Sequence, residues 1–259
     1  MSGGTGYASS GVARRARRPR RRATVTGVIG ELLITTGVVV LMYVAWQLWI
    51  GDWIIGTQTS AEAQELAQEW AAEDPDPIVP EPTQTAEPDA PVEPVLGPKT
   101  KDGRVFGIMY IPRFGDDYAR KLAGGVTKAR TLDKGEIGHY LDTQRVGEVG
   151  NFAVAAHRTT YGAPFARIAD LRLGDAIVVE TKAGWYTYRF RTLEYVVPEQ
   201  TDVLNPVPQE TRTSDDERYI TLTSCSPRYS NAERIVAYGV FDSFQPRADG
   251  PPASLSGGT

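Results

Sequence analysis

The sequence predicts a mainly β domain, a barrel or sandwich of many short strands, that follows a single membrane-spanning helix. Three observations lead to this prediction: an apolar run near the N-terminus, a middle stretch rich in proline and acids, and short strand patterns from residue 101 onward. Many short strands with only one or two short helices favour a barrel or a sandwich. The 259 residues suffice for one ordinary domain with appendages.

The N-terminal residues are strongly basic. Seven arginines lie between Arg14 and Arg22, and no acidic residue precedes Glu31. A nucleic-acid-binding protein would carry such charge on a folded face. Because this charge sits in a short tail beside an apolar run, residues 1–27 are predicted to be a basic cytoplasmic tail, and no nucleic-acid partner is expected.

The apolar run predicts one transmembrane anchor, assigned to residues 28–55. Residues 32–50 carry no charge, and as a helix they would span about 28 Å, close to the hydrocarbon thickness of a bilayer. Arginines before the run and acids after it predict a single-pass protein of the cell membrane with a cytoplasmic N-terminus and an extracellular folded domain. A cleavable signal peptide is the alternative, but its apolar core is shorter, about 7–15 residues. Three tryptophans lie at the far end of the run, where an aromatic belt belongs: Trp46, Trp49 and Trp53.

Residues 56–100 are predicted to be an extracellular linker. Residues 61–98 carry ten acidic side chains and no basic one, and eight of residues 75–98 are proline. Such a composition buries little apolar surface, and proline favours an extended chain. Residues 61–72 are predicted to form a short polar helix before this extended segment.

The folded domain is predicted for residues 101–243. Phe165, Ile168 and Leu171 have the spacing of one short helix face. Residues 182–184 end in a glycine and predict a hairpin turn. Residues 244–259 are rich in Gly, Pro and Ser and are predicted to be a disordered tail. Strands are predicted at residues 104–111, 151–156, 176–180, 185–197, 218–224 and 234–241.

The single cysteine, Cys225, is a predicted nucleophile. One cysteine excludes an intramolecular disulfide, and the alternative is a small buried apolar residue. Alternation along the strand places Ile220 and Leu222 on one side, and Cys225 on the other with Thr221 and Thr223. A thiol at a strand end beside polar side chains suits a cleft, which favours catalysis.

Two histidines and one arginine are the predicted partners of the thiol. His157 follows a strand, whereas His139 lies in a glycine-flanked segment predicted to be a loop. His157 is preferred as the proton-transfer residue because a strand end is more rigid than a loop. Arg234 begins the strand after Cys225, so a hairpin would bring both to one end, where a guanidinium can stabilise an oxyanion. A solvated surface charge is the alternative for Arg234. No metal or cofactor is expected.

Four short motifs resemble those of the sortase family. The segment from Thr221 to Cys225, followed by Arg234, resembles the T-L-x-T-C…R signature. Three further segments resemble the family's G-N-x-x-x-x-x-H-R…F…L…G-D block, its G-H-Y element and the Y-x-P-R segment of class E sortases. Together the resemblance covers residues 104–241. These matches are Asn151 to Arg158 with Phe165 and Leu173-Gly174-Asp175, then Gly138-His139-Tyr140, then Tyr110-Ile111-Pro112-Arg113.

The resemblance implies an eight-stranded β-barrel with Cys225, His157 and Arg234 as the catalytic trio. It implies cleavage of a Thr–Gly bond in a C-terminal sorting motif of the LAxTG or LPxTG type on secreted proteins. A thioacyl-enzyme would then pass the protein to an amine of a peptidoglycan precursor. Ser224 stands where the family usually has threonine, and Tyr161 where a histidine is more frequent. Substrate contacts are implied for Tyr110, Thr223, Ser224 and His139.

Two other functions remain open from the sequence. One is a pilin-polymerising sortase. The other is a non-catalytic anchored β-barrel that binds peptides or wall polymer and would not need the trio. A papain-like peptidase is disfavoured, because its cysteine precedes its histidine in the chain, whereas both histidines here precede Cys225.

Overall fold

The structure, a computed structural model, describes residues 24–46, 50–73, 92–210 and 216–255. The chain divides into two units at residue 45. Several predictions lie outside the described residues: the basic tail up to residue 23, Trp49, the proline-rich residues 74–91 and the last four residues.

The first unit contains one helix, α1 (Val25–Ala45). Its mean hydropathy is 2.1, none of its residues is buried, and its 21 residues are enough to cross a membrane. The apolar run was therefore correctly predicted as a candidate span. The helix begins seven residues before that run and ends before Trp46.

The second unit is built on eight strands that close into a barrel, in the order β1-β2-β3-β4-β7-β8-β6-β5. This confirms the predicted eight-stranded barrel. Pairs β2–β3 and β4–β7 are parallel, and the other pairs are antiparallel. The strands are β1 (Val105–Tyr110), β2 (Ala119–Gly124), β3 (Ile137–His139), β4 (Gly150–Ala155), β5 (Ala176–Thr181), β6 (Gly184–Val196), β7 (Arg218–Ser226) and β8 (Glu233–Pro246).

Side chains alternate between the barrel interior and its outer surface. In β7, Ile220 and Leu222 belong to the interior apolar cluster, as the sequence pattern predicted. In β4 the same cluster contains Phe152 and Val154, so the intervening residues of both strands project outward. The interior is filled by large side chains, among them Tyr186, Tyr188, Phe152, Phe165 and Ile168.

The predicted helix over residues 165–171 is only one 3-10 turn, Ile168–Asp170. Phe165, Ile168 and Leu171 are nevertheless all buried in the barrel cluster. The helical turn cannot continue beyond Asp170, because Leu171 is extended, with φ −58° and ψ 139°. It cannot begin much earlier, because residues 160–163 have positive φ. Other 3-10 turns are Pro112–Phe114, Leu132–Lys134, Asp202–Leu204, Arg247–Asp249 and Ala253–Leu255.

A second helix, α2 (Gly51–Glu73), corrects the predicted anchor and linker. It packs on Ile108 and Ala119 of β1 and β2, so neither the anchor's end at 55 nor the linker's start at 56 is right. The predicted polar helix at 61–72 is the later part of α2. The linker was predicted from the acidic composition of this segment. That composition obscures an apolar stripe at helical spacing. The residues of this stripe are Ala63, Leu66, Ala67 and Trp70.

The barrel also extends beyond the predicted boundary at residue 243. Strand β8 continues to Pro246, where Gln245 pairs with Trp185. Phe244 is buried and its ring centroid lies 4.8 Å from that of Tyr186. The predicted tail therefore begins too early, because its glycine- and proline-rich composition does not reveal strand pairing with β6.

Candidate active site

The hydrogen-bond register places Cys225 between the two residues predicted to assist it. In the antiparallel pair of β7 and β8, Cys225 lies directly opposite Arg234. In the parallel pair of β4 and β7, Ala155 lies opposite Thr223. Strand β4 ends there, and His157 follows Ala155 by two residues as Cys225 follows Thr223. The three predicted residues are thus brought to one end of three adjacent strands.

All three side chains belong to the outer face of the barrel. Cys225 lies two residues after the outward-facing Thr223 in the same strand, so its side chain also faces outward. Arg234 is paired with Cys225 across the sheet, and paired residues project to the same side. Cys225, His157 and Arg234 are each half-buried. A peptide can therefore reach the thiol from outside the barrel.

His157 is held by a carboxylate and by an aromatic ring. Its Nε2 lies 2.8 Å from Oδ1 of Asp133, and its ring stacks on Tyr161 at a centroid distance of 5.2 Å. A carboxylate only accepts hydrogen bonds, so Nε2 is the protonated nitrogen and Nδ1 points away from Asp133. Asp133 belongs to the Leu132–Lys134 turn, and sequence reasoning missed it because it lies in none of the motifs.

The guanidinium of Arg234 is bound to the loop between β7 and β8. Its Nη1 donates to the carbonyl oxygens of Asn231 (3.1 Å) and Glu233 (2.9 Å). A guanidinium has five N–H donors, so others remain for a substrate oxygen.

Three hydrogen bonds join the end of β4 to the end of β7. The Ala156 amide donates to the Thr223 carbonyl (3.2 Å), and Ser224 Oγ donates to the Ala156 carbonyl (2.7 Å). Arg158 Nη1 donates to the Cys225 carbonyl (3.4 Å). These bonds fix the backbone of the thiol relative to that of the adjacent histidine.

The predicted substrate contacts of Ser224 and Thr223 have different outcomes. Ser224 alternates with Cys225 along β7 and therefore faces the barrel interior. It is 4% exposed, and its hydroxyl donates a hydrogen bond to the Ala156 carbonyl, so the structure does not support a substrate contact. Thr223 is nearly as buried, at 5% exposed, but faces outward beside Cys225. Its Oγ1 donates to the Val154 carbonyl (3.2 Å) and lies 3.0 Å from the Tyr140 hydroxyl.

Tyr140 was overlooked in favour of its neighbour His139. Adjacent strand residues face opposite sides, so Tyr140 faces the outer surface and His139 the interior. His139 is 2% exposed, and its Nε2 lies 3.0 Å from the Gln144 carbonyl. It also belongs to β3 rather than to the predicted loop. No surface of His139 is left for a peptide, and the rigidity argument used to reject it was wrong.

Tyr110 lies on another side of the barrel. It packs beneath α2, and its hydroxyl donates to Glu180 (2.6 Å). Strands β2, β3 and β4 separate it from β7, which is about 19 Å around the sheet at about 4.8 Å per strand. The structure therefore does not support contact between Tyr110 and a peptide at Cys225.

The connection between β6 and β7 covers part of the outer face next to the thiol. Its residue Val203 packs on Val236 of β8. The buried Asn151 holds the same connection, because its Nδ2 donates to the carbonyls of Val203 (3.1 Å) and Asn205 (3.0 Å). Thr221 donates to Asn151 Oδ1 (2.8 Å). This connection is therefore held against outward residues of β4 and β8, and Val236 of β8 pairs with Thr223, two residues before Cys225.

The arrangement suits attack on a carbonyl carbon. It contains a thiol, an imidazole with a carboxylate partner and a guanidinium at one strand end. Among the described residues, no group of three or more His, Cys, Asp or Glu side chains could hold a metal ion.

Comparison with protein families decides the family. The model of the sortase domain matches residues 109–242, which includes the whole site and six of the eight strands in full. The chain belongs to the sortase family. The resemblance seen in the motifs is thereby confirmed.

The curated relatives include class E sortases. Sortase SrtE1 of Streptomyces coelicolor is 32% identical over 93% of this chain, and Sortase SrtE2 of the same organism is 31% identical over 86%. This sortase spans 64% of the length of the first relative and 85% of the second.

Solved sortase structures share the barrel. The SrtA sortase of Actinomyces oris has a TM-score of 0.59 and 35% identity, and covers 66% of this chain and 96% of its own. Sortase E1 of Streptomyces coelicolor, solved with a tripeptide in the active site, has a TM-score of 0.56 and 33% identity. It covers 60% of this sortase and 99% of its own chain.

Proposed function

We propose that this sortase is a membrane-anchored cysteine transpeptidase. It cleaves a Thr–Gly bond in a C-terminal sorting motif of the LAxTG or LPxTG type and transfers the protein to an amine of the cell wall. The observation that supports this proposal is the register of β4, β7 and β8. Arg234 lies opposite Cys225, and Ala155, two residues before His157, lies opposite Thr223, two residues before Cys225.

The first half-reaction forms a thioester. The Cys225 thiolate attacks the threonine carbonyl carbon, and the carbonyl π electrons move to the oxygen. Arg234 donates hydrogen bonds to this oxyanion; loss of one such donor typically costs about 10²–10³ in rate. The oxyanion collapses, the C–N bond breaks, and His157 gives its proton to the departing glycine nitrogen.

The second half-reaction reverses these roles. An amine of the wall precursor attacks the thioester carbonyl, and His157, now neutral, takes a proton from the attacking nitrogen. The C–S bond breaks and Cys225 leaves as a thiolate. The threonine is then joined to the wall amine by an amide bond, and the enzyme returns to its initial state.

The sorting peptide binds on the outer side of the barrel, at the strand end that carries Cys225. Of the predicted contact residues, Thr223 alone faces outward next to Cys225, although it is only 5% exposed. Its Oγ1 lies 3.0 Å from the hydroxyl of Tyr140, which is half-buried and extends the contact surface. The tripeptide in the active site of the related sortase E1 supports a peptide substrate. Secreted proteins with a sorting motif are the donor partners, and a peptidoglycan precursor provides the acceptor amine.

The helix α1 anchors the enzyme as a single-pass membrane protein. Arginines precede it and acidic residues follow it, which favours a cytoplasmic N-terminus and an extracellular barrel. This placement puts the catalytic domain on the side where its donor and acceptor substrates meet.

Peptide cleavage by the full chain in detergent tests the function. We would use quenched peptides that carry Leu-Ala-x-Thr-Gly or Leu-Pro-x-Thr-Gly, with and without an amine acceptor, beside Cys225→Ala. We expect cleavage at Thr–Gly, joining of the peptide to the amine, and loss of both with Cys225→Ala. Peptide binding without turnover, equal in the two proteins, would instead establish an anchored binding module.

The choice of acceptor separates a wall sortase from a pilin-polymerising one. Preference for a wall-precursor amine over a lysine on a second protein supports the proposal, and the reverse preference identifies a pilin polymerase.

A further inference from the structure

The segment after His157 has an unusual backbone. Four consecutive residues have positive φ: Thr160 (67°), Tyr161 (50°), Gly162 (75°) and Ala163 (41°). Residues with a Cβ disfavour this region, and such conformations persist where surrounding structure holds them. We call residues 157–164 the histidine loop. Its conformation requires an external support.

The helix α2 provides that support at two points. Asp52, in the first turn of α2, accepts a hydrogen bond from the Thr160 amide (2.9 Å). Gly56, one turn later, lies directly against Gly162. A Cβ added to Gly162 would come within 3.1 Å of the Gly56 nitrogen, so the close approach depends on glycine.

The supported residues flank the ring that stacks on the histidine. Tyr161 lies between Thr160 and Gly162, and its ring contacts His157. The backbone of Tyr161 also lies against Gly135, where an added Cβ would come within 2.7 Å of the Tyr161 oxygen. Gly135 ends the turn that carries the carboxylate partner of the histidine. Both groups that contact the imidazole therefore belong to segments packed on each other.

The helix is itself fixed on the barrel. Ala63 and Trp70 are buried. Arg120 Nη1 donates to Ser60 Oγ, and Lys121 pairs with Glu62 at 2.8 Å. A helix held in this way can transmit its position to the loop that it contacts.

We propose that α2 is part of the catalytic unit and positions His157 by holding the histidine loop. Asp52 and Gly162 are positioning residues that act through Tyr161 and the loop backbone. The inference rests on the proposed function, since it assigns a role in catalysis to α2.

The first test replaces Asp52 in the full chain in detergent. Asp52→Ala removes the acceptor of the Thr160 amide, and we expect kcat to fall about tenfold with little change in KM, because small misplacements of a catalytic group are costly. Asp52→Asn retains an oxygen that accepts this bond and should restore most of kcat. Glu65→Ala, at an exposed position of the same helix, is the matched control and should match the wild type.

The second test separates contact with α2 from backbone strain. Gly162→Ala places a Cβ against α2 at φ +75°. Gly250→Ala places one at the same φ with nothing within 4 Å, so it carries the strain without the collision. We expect Gly162→Ala to lose more kcat than Asp52→Ala, and Gly250→Ala to retain wild-type kcat.

Hydrogen exchange of the Thr160 amide gives a readout that does not depend on the reaction. We expect it to be at least tenfold faster in Asp52→Ala than in the wild type. Unchanged exchange, or wild-type kcat in both Asp52→Ala and Gly162→Ala, would overturn the proposal. If the wild type cleaves no sorting peptide, the proposed function fails, and exchange alone still decides whether α2 holds the loop.

Discussion

The two histidines lie near the ends of the barrel strands β3 and β4, which are neighbours, yet their surroundings differ completely. His139 faces the interior, with its ring centroid 4.8 Å from that of Phe152 and both ring nitrogens within 3.3 Å of hydrogen-bonding partners. His157 faces outward, is bonded through Nε2 to Asp133, and keeps Nδ1 for a reaction. The side of the barrel that each ring faces, rather than its nearness to a strand end, separates the structural histidine from the one proposed for catalysis.

Burial explains why His139 is unsuited to proton transfer. Desolvation lowers the pKa of His139, although its bond to the Gln144 carbonyl works in the opposite direction. Folding therefore disfavours the charged form of this ring. Proton transfer at the thiol needs a group that contacts both solvent and substrate, and only the outward-facing ring meets that requirement.

Replacing each histidine separately should give the largest difference in kcat/KM between the two positions. His157→Ala should lower kcat/KM by about 10²–10⁴, the usual contribution of general acid–base catalysis. His139→Asn should leave the kcat/KM of folded protein within about threefold of the wild type. Its disturbed hydrogen bonds should cost about 1–3 kcal/mol of stability, which is a few degrees of melting temperature at roughly 2–4 °C per kcal/mol.

Peptide cleavage and thermal denaturation on the same samples measure both effects. Loss of turnover in well-folded His139→Asn, together with activity in His157→Ala, would reverse the assignment of the two rings.

Removal of the charge of Asp133 tests whether this carboxylate acts through the outward-facing His157. Asp133→Asn keeps an acceptor for Nε2 but no longer stabilises the imidazolium by charge. The Asp133 side chain is 31% exposed, so solvent weakens the interaction. We expect kcat to fall by up to about fivefold, corresponding to the 0.2–1 kcal/mol of exposed ion pairs, with KM unchanged. Asp116→Asn, at an exposed position, is the control. A change in KM alone would count against a role through His157.

The smallest expected effect concerns the buried ring and pH. Because the folded pKa of His139 is lowered, the unfolded chain binds its proton more readily below its ordinary pKa of about 6.5. Stability should therefore fall as the pH decreases below about 6.5, by at most about 1.4 kcal/mol per pH unit. Melting temperatures at pH 7.5 and pH 5.5 measure this loss, which should be smaller in His139→Asn and unchanged in His157→Ala. An equal loss in all three proteins would assign it to other groups.

Predictions based on alternation succeeded because they depend on local geometry. Ile220 and Leu222 are inside and Thr223 and Cys225 outside, as a period of two requires. Predictions based on composition did less well. The stripe of α2 that includes Ala63 and Trp70 was present in the sequence, but the surrounding acids led to its interpretation as a linker.

The sequence by itself determined the apolar helix, the strand character of the barrel and the outward thiol, because each follows from the order of side chains along one segment. Only the tertiary structure decided that the ends of β4 and β7 are paired next to His157 and Cys225, that Asp133 bonds the His157 ring and that α2 contacts its loop. These relations join segments far apart in the chain through strand register and packing, which no local pattern specifies.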